Sequence, residues 1–161
     1  PSIMAFAEVS AGKQYQSFRV GLPLQLYQAP NDRFGIKLTP YLSFNTLDSL
    51  KSGNSPQRLT GQFFDGGLRL SMGYYLLPTL SIGAYGDYHL RNRQHPWTSP
   101  EGQPIYTPNE VDVSLYYGFL ENVAIKAGVK NEHLVVGLFM VGWELSWSLN
   151  KGRLIIRHSL D

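Results

Sequence analysis

Hydrophobic and polar residues alternate along most of the chain. In residues 33–45, Phe34, Ile36 and Leu38 share one face with later apolar residues, whereas Lys37 and Thr39 lie on the other. Successive side chains of a β-strand point to opposite faces, so this period of two predicts strands. The alternation recurs in nine strand candidates, at residues 2–11, 17–28, 33–45, 64–75, 80–91, 111–119, 123–130, 135–149 and 153–160.

The connections between these segments differ in length. Ala29–Asp32, Glu121–Asn122 and Asn150–Gly152 have the composition of tight turns. Residues 46–61 and 92–110 carry glycine, proline and polar residues without sustained alternation, which predicts two long loops within one domain spanning residues 1–161. After the second strand, short and long connections alternate, as in barrels with tight turns at one end.

The two faces of the predicted strands differ sharply in charge. The apolar faces carry essentially no charge, and the opposite faces carry both signs together with Tyr, Ser, Gly and Thr. A soluble sandwich or barrel would place the apolar faces in its core. A transmembrane barrel would turn them outward to lipid, and apolar faces long enough to cross a bilayer favour this second arrangement. Aromatic residues near the strand ends add weaker support: Tyr27, Phe44, Tyr74, Tyr88, Phe119 and Trp147.

Composition excludes several classes of site. A net charge of +2 without a basic stripe disfavours nucleic-acid binding. The absence of cysteine excludes disulfides, thiolate metal sites and cysteine nucleophiles. The longest apolar run, 134–143, is about half the ~20 residues that a membrane-spanning helix needs. No metal, phosphate-loop or hydrolase motif is present, so no cofactor is expected.

The alternating strands around Phe34–Phe44, Leu68–Tyr74, Leu80–Leu90 and Val135–Leu149 resemble those of small bacterial outer-membrane β-barrels, the class of the OmpA membrane domain and OmpX. The resemblance implies an all-β, antiparallel, up-and-down transmembrane barrel of 8–10 strands in the bacterial outer membrane. Such barrels have even strand numbers, whereas nine candidates are found. Either one candidate is not a strand, or a further strand comes from a longer chain or an associated polypeptide.

Several residues are candidates for a functional role. The charged faces predict a lumen network that fills the barrel more readily than it lines a pore. The two long loops are the expected partner-binding surfaces, with Trp97 and Tyr106 as candidates in the second loop. His158 and Ser159 are weak catalytic candidates, because neighbours on one strand point to opposite faces. The network comprises Arg19, Lys37, Asp65, Arg69, Asp87, His89, Arg91, Asp112, Lys126, Glu144 and Arg157.

The function expected from these features is a structural, adhesion or partner-binding role through the long loops, without enzymatic activity. The expected partners are membrane lipid or lipopolysaccharide and another envelope protein or chain. The alternatives are an outer-membrane lipid-modifying enzyme of the lipid A acyl hydrolase type, a small pore, and a soluble ligand-binding barrel.

Overall fold

Every regular element that the structure describes is a β-strand. The computed structural model describes residues 5–11, 15–51, 58–90, 110–130, 133–140, 142–149 and 153–160. Within these ranges no helix is long and apolar enough to cross a membrane. The strands are β1 Ala5–Ala11, β2 Tyr15–Gly21, β3 Leu24–Gln28, β4 Phe34–Lys51, β5 Arg58–Leu77, β6 Leu80–His89, β7 Val111–Leu120, β8 Val123–Lys130, β9 His133–Met140, β10 Trp143–Ser148 and β11 Arg153–Leu160.

The strands form one closed antiparallel barrel. Each strand from β4 to β10 pairs with the next along the chain, and β1 pairs with both β11 and β2 to close the wall. Segments β2 and β3 both pair with β4 and together make one wall strand. The described barrel therefore has ten wall strands in up-and-down order, which confirms the predicted all-β antiparallel barrel.

A pair of prolines interrupts one seam of the wall. Pro23 separates β2 from β3, and Pro40 lies in β4 opposite this break. One hydrogen bond is made at this level, because the Leu22 amide donates to the Pro40 carbonyl at 3.1 Å. The second bond of a regular antiparallel pair is missing, because Pro40 has no amide hydrogen to donate.

The structure corrects the prediction of a single strand over 135–149. The chain instead forms the hairpin of β9 and β10, with Trp143 paired to Met140 and Gly142 in the turn between them. Gly142 has a positive φ of 81°, which a tight turn requires and glycine adopts without strain. The inward face shifts from odd residues such as Val135 to even residues such as Glu144. Because this segment forms two strands instead of one, the nine predicted strands become ten wall strands.

The first predicted long loop is shorter than 46–61. Strand β4 continues to Lys51 and β5 begins at Arg58, with Thr46 paired to Gln62 and Lys51 paired to Arg58. Ladder bonds join backbone groups, so pairing can continue where the hydrophobic alternation ends. Residues 52–57 lie outside the described residues, and so do residues 91–109, which include all of the second predicted loop except Glu110.

The two ends of the barrel are built differently. At the end called here the turn end, the described connections are residues 29–33, 78–79 and 121–122, together with Gly142 between β9 and β10. Asp32 and Asn122 adopt positive φ values of 56° and 62° in two of these turns. Polar side chains such as these tolerate that region better than most residues. The opposite end, called the loop end, contains the extended β4–β5 hairpin.

The charged faces of the strands point inward and the apolar faces outward. At adjacent positions in β5, Arg69 is 3% exposed and Leu70 is 43% exposed. The same reversal holds along the other strands whose side chains are described, with Val113, Ile125 and Leu145 exposed on the outside. The alternative of a barrel with an apolar core is therefore wrong, because this interior is polar and charged.

One close contact inside the wall depends on glycine. The ring of Tyr41 in β4 lies over Gly67, its cross-strand partner in β5. A Cβ atom added at Gly67 would lie 2.4 Å from the Tyr41 ring, a distance that requires the ring to move. Gly67 thus allows a buried aromatic ring to pack flat against the wall.

We predict that Gly67→Ala lowers the free energy of unfolding by about 1–3 kcal/mol through overpacking. Gly86→Ala is the matched control, because Gly86 lies in β6 with no atom within 4 Å of the added Cβ. Urea unfolding of the detergent-folded protein measures both effects. In a Tyr41→Ala background the Gly67→Ala effect should disappear, and an unchanged effect there would contradict the packing explanation.

Candidate functional site

Among the residues that the structure describes, ten charged side chains form one connected network inside the barrel. It contains five carboxylates and five cations, so its formal charges balance. Burying charges costs several kcal/mol for each ion unless opposite charges and hydrogen bonds compensate. A balanced network is therefore the condition under which this lumen can exist. Its members are Glu8, Arg19, Arg69, Asp87, Glu110, Asp112, Lys126, Lys130, Glu144 and Arg157.

Glu8 is the hub of the network. This fully buried carboxylate in β1 accepts from Arg69 Nη1 at 2.9 Å, from Arg157 Nη2 at 2.8 Å and from Arg19 Nη1 at 3.3 Å. Arg19 and Arg157 are its cross-strand partners on either side, so register alone brings these three residues together. Arg69 reaches Glu8 from β5, across the lumen.

Asp87 links two of the same arginines. Arg69 binds it through two parallel bonds, Nε to Oδ1 at 2.6 Å and Nη2 to Oδ2 at 2.8 Å. Arg19 Nη1 donates to the same Oδ2 at 2.8 Å. Bidentate arginine–carboxylate pairs are strong and fix orientation, so Asp87 holds the Arg69 side chain in place. Arg19 also lies 3.6 Å from Glu110, which pairs with Lys130 at 2.9 Å.

Lys126 extends the network toward β7 and β10. Its Nζ donates to Glu144 Oε1 at 2.7 Å and to Asp112 Oδ2 at 3.1 Å. Arg157 Nη1 donates to the other oxygen of Glu144 at 3.3 Å, which joins this branch to Glu8. Each of these carboxylates also accepts a hydrogen bond from a serine on its own strand: Ser146 donates to Glu144 at 2.9 Å, and Ser114 donates to Asp112 at 2.6 Å.

Aromatic rings fill the space between the charged groups. The guanidinium of Arg69 lies 4.1 Å from the centre of the Tyr85 ring, and that of Arg157 lies 4.7 Å from it. Phe6 lies on another side of Arg69, at 4.9 Å. Cations over ring faces gain about 0.5–2 kcal/mol, more when water is excluded. These rings replace water as the neighbours of the guanidinium groups.

A second buried cluster lies beside the network. Tyr41 Oη is 3.1 Å from His89 Nε2, and His89 Nδ1 is 3.1 Å from Asp65 Oδ2. The order Tyr–His–Asp resembles that of a base held by a carboxylate. His89 has no exposed surface, however, and Tyr41 is only 4% exposed, so no substrate can reach either residue in this conformation. The cluster therefore satisfies buried polar groups and helps to close the lumen.

The structure places most of the predicted lumen residues inside the barrel. Lys37 is half-buried and lies nearer the turn end than the network, beside Gln25 and Ser71 in adjacent strands. Arg91, Trp97 and Tyr106 lie outside the described residues. The residues that it brings inside are Arg19, Asp65, Arg69, Asp87, His89, Asp112, Lys126, Glu144 and Arg157.

Of the two weak catalytic candidates, only His158 has a side chain that the structure describes, and it packs against an aromatic ring. His158 faces outward, where its ring stacks on Trp143 with centroids 4.2 Å apart. Ser159 is the next residue of β11, and its side chain lies outside what the structure describes. Within the described chain no group of three or more His, Asp or Glu residues could hold a metal ion.

Three network members were not among the predicted lumen residues: Glu8, Glu110 and Lys130. Glu8 and Lys130 lie on the polar faces of their strands, so alternation already indicated their direction. Glu110 was assigned to the second loop, although it precedes Asp112 by two residues and therefore shares its face. The signal that identifies all three is phase along the strand, which for Glu110 has to be extended by one residue before the predicted start at Val111.

Three cavities lie at the turn end, and Tyr116 lines all of them. The largest has a volume of about 750 Å³ and reaches the turns at Thr79 and Asn122. A second of about 400 Å³ adjoins it, and a third of about 200 Å³ extends inward to Arg69 and Arg157. Together they form a vestibule, open at the turn end, whose floor is the ion network.

We predict that Glu8→Gln destabilises the barrel by about 3–5 kcal/mol, because three buried guanidinium groups lose their shared carboxylate. Glu121→Gln is the matched control, since Glu121 is exposed in a turn and its replacement should change stability by less than about 0.5 kcal/mol. Urea titration followed by tryptophan fluorescence measures both variants. Equal unfolding midpoints for the two variants would contradict the role of Glu8 as hub.

Comparison with known proteins adds no assignment to this geometry. No protein-family model matches the chain, and no curated protein is significantly similar to it in sequence. The role of the lumen and of the two barrel ends is therefore inferred from their physical chemistry.

Proposed function

We propose that this chain is an integral β-barrel of a bacterial outer membrane, closed to free diffusion by its ion network, with a structural, adhesion or partner-binding role at its loop end. The observation that carries the proposal is the direction of the faces. Large apolar side chains cover the outside of the wall, and the charged strand side chains that are described lie on the inside. In water, each of those outer side chains would be exposed at a cost of about 25 cal/mol per Å².

The height of the apolar surface supports a membrane position. Outer apolar positions run from Phe34 to Phe44 in β4 and from Phe64 to Tyr74 in β5. Tilted strands cross the hydrocarbon layer with about 9–11 residues, which matches these two runs. A closed barrel also pairs its backbone groups between neighbouring strands, as lipid requires.

Aromatic residues mark both edges of this apolar surface. Toward the loop end, Phe18, Phe44 and Phe64 are direct cross-strand neighbours and form a row on the outside. Toward the turn end, Phe34 pairs with Tyr74, and the Tyr27 ring lies 6.1 Å from that of Phe34. Aromatic girdles at the two membrane interfaces are typical of transmembrane barrels. These surfaces are where membrane lipid and lipopolysaccharide would be contacted.

The loop end offers the larger surface for a partner. The β4–β5 ladder continues from the Phe44–Phe64 pair to the Lys51–Arg58 pair, seven further residues along β4. At ~3.3 Å per residue this hairpin extends ~23 Å beyond the aromatic row. A paired hairpin of this length presents a preformed surface outside the bilayer. Another envelope protein or chain is the partner class that this surface would bind.

The alternatives receive less support from the geometry. A pore needs an open path, but the network and the Tyr41–His89–Asp65 cluster cross the lumen. A lipid A hydrolase needs a nucleophile and a base on one outward surface, but His158 stacks on Trp143 and its neighbours on β11 alternate faces. A soluble ligand-binding barrel would expose its apolar wall to water.

We predict that Leu70→Arg impairs insertion, because a charge near the middle of the apolar surface costs about 2–4 kcal/mol in a bilayer. Leu70→Phe is the matched control and should insert like the unmodified chain. The measurement is the folded fraction in lipid vesicles, read from heat-modifiable migration on a gel. If Leu70→Arg is monodisperse and folded without detergent or lipid, the membrane assignment is wrong.

We also predict that the barrel gives no steady conductance in planar lipid bilayers, because ion pairs and rings fill its lumen. The protein should be reconstituted from the same preparation that shows heat-modifiable migration, so that folding is established independently. A stable ohmic conductance comparable to that of an open porin would favour the pore alternative instead.

A further inference from the structure

The vestibule at the turn end is a blind pocket with room for a small molecule. It opens between the tight turns, and the ion network with Tyr85 closes it from the inside. Its cavities of about 750, 400 and 200 Å³ fall around the range of small-molecule pockets, about 300–1,000 Å³. A pocket with one entrance can retain a ligand but cannot conduct it.

Small inward residues keep the vestibule open. Gly35, Gly73 and Gly83 are direct cross-strand neighbours on the inner face of β4, β5 and β6. A Cβ atom added at Gly73 would meet only the Ile82 carbonyl oxygen, at 4.0 Å, and one added at Gly118 would meet only backbone oxygen atoms, at 3.8 Å. Gly118 lines the largest cavity and Gly73 the second. Side-chain volume is therefore withheld at this end of the barrel.

Three aromatic side chains stand around this space. Tyr75, Tyr116 and Phe139 line both of the larger cavities, each from a different strand. Ser81 lies between Tyr75 and Tyr116 across the paired strands, so the backbones of the two tyrosines are two strand spacings, ~10 Å, apart. On the described part of the chain, no ring contact joins the three rings to one another. Because stacked rings lie about 4.5–7 Å apart, this spacing leaves room for a further ring between them.

The three rings differ in how much surface they offer. A Cβ atom added at Gly83 would lie 3.1 Å from Cε2 of Tyr116, so the Tyr116 ring packs closely on the wall and is held in place. Tyr75 is 52% exposed, and Phe139 is half-buried. A ligand that covers the rings of Tyr75 and Phe139 removes apolar surface from water, which favours its binding.

The charges around the vestibule are of both signs. Asp32, Glu121 and Glu144 bring carboxylates to its lining, and Arg33 and Lys37 bring cations, together with the two arginines of the network that reach the inner cavity. A charged ligand of either sign would meet groups of its own sign as well as opposite ones, and it would also lose part of its hydration. The lining therefore favours a neutral ligand.

The polar groups beside the rings suit a ligand with few polar groups of its own. The side-chain amides of Gln25 and Gln28 already donate to oxygen atoms of the β3–β4 hairpin. Ser71 and Ser81 contribute hydroxyl groups that can donate and accept. A saccharide has a hydroxyl group on almost every ring carbon and would leave most of them without partners. An aromatic ring with one or two hydroxyl groups fits both the rings and the serines.

We propose that the vestibule binds a neutral aromatic alcohol or phenol, with its ring among Tyr75, Tyr116 and Phe139 and its hydroxyl groups toward Ser71 and Ser81. Stacked and edge-to-face ring pairs contribute affinity beyond the apolar area that they bury. This site lies at the end of the barrel opposite the proposed partner-binding hairpin. It requires the barrel but does not depend on the membrane assignment or on the role of the loop end.

The test uses the full chain folded in detergent and isothermal titration with p-hydroxybenzyl alcohol, corrected for titration into detergent alone. This compound should bind saturably. Its analogue with a saturated ring carries the same two hydroxyl groups but no π electrons, and it should bind about tenfold or more weakly. Absence of saturable binding of p-hydroxybenzyl alcohol up to about 10 mM would overturn the proposal, as would equal affinities for the two compounds.

Two charged relatives test the neutral character of the ligand. The compound p-hydroxybenzoate carries a carboxylate, and tyramine carries an ammonium group on a similar ring. Because the lining contains both signs of charge, neither compound should bind more tightly than p-hydroxybenzyl alcohol. A preference of about tenfold or more for either charged compound would identify a site directed by charge and overturn the proposal.

Two pairs of substitutions locate the site. Tyr75→Leu should weaken binding of p-hydroxybenzyl alcohol about three- to tenfold, whereas Tyr74→Leu, on the outer face of the same strand, should leave it unchanged. Gly73→Trp fills the vestibule and should abolish binding, whereas Gly86→Trp, on the outer face of the neighbouring strand, should not. Heat-modifiable migration shows that each variant is folded before titration. Equal effects of the two tyrosine substitutions, or binding that survives in folded Gly73→Trp, would overturn the proposal.

Discussion

Compensation of buried charge is the constraint on which this barrel depends. The network of ten charged side chains found among the described residues lies within the wall, and each member is within ion-pair distance of an opposite charge. Strand register alone brings four of these residues together, because Glu8, Arg19, Arg157 and Glu144 are neighbours across paired strands. Arg69 and Asp87 complete the arrangement from the opposite wall. The aromatic rings of Tyr85 and Phe6 lie against the guanidinium groups of Arg69 and Arg157.

The same constraint divides the lumen into two parts with different properties. The network occupies the part toward the loop end, where side chains fill the space and hold each other by charge. At the turn end, glycines replace large side chains and the vestibule remains open. A barrel of ten wall strands is wider than one of eight, whose interior is just filled. The extra width is thus taken up partly by ion pairs and partly by open space.

Much of this architecture could be predicted from the sequence, since alternation reports directly on the two faces of a strand. It identified the antiparallel barrel and the direction of residues such as Arg69 and Leu70 relative to each other. It missed the β9–β10 hairpin, because Val141–Gly142 lacks the usual asparagine or aspartate and the flank before it is apolar on both faces. It also could not show the loop-end extension of β4 and β5, which depends on backbone pairing alone.

The sequence predicted most of the residues that line the lumen, but not which of them contact each other. Alternation places Glu8 and Asp87 on inner faces, yet only closure of the wall reveals that Arg69 contacts both. The vestibule could not be predicted from the sequence, because the same alternation places glycine on the inner face whether the lumen beside it is filled or open. Distances across a barrel depend on strand number and stagger, which short-range patterns do not contain.

The direct pairing of Glu8 with Arg157 has a consequence for how the wall is completed. These two residues face each other across β1 and β11, the strands that meet last along the chain. Sliding either strand by one residue would turn its buried ion outward and leave the opposite ion alone in the interior. Alignments of β1 and β11 that are shifted by one residue are therefore strongly disfavoured in energy, and this ion pair helps to select the register at which the wall closes.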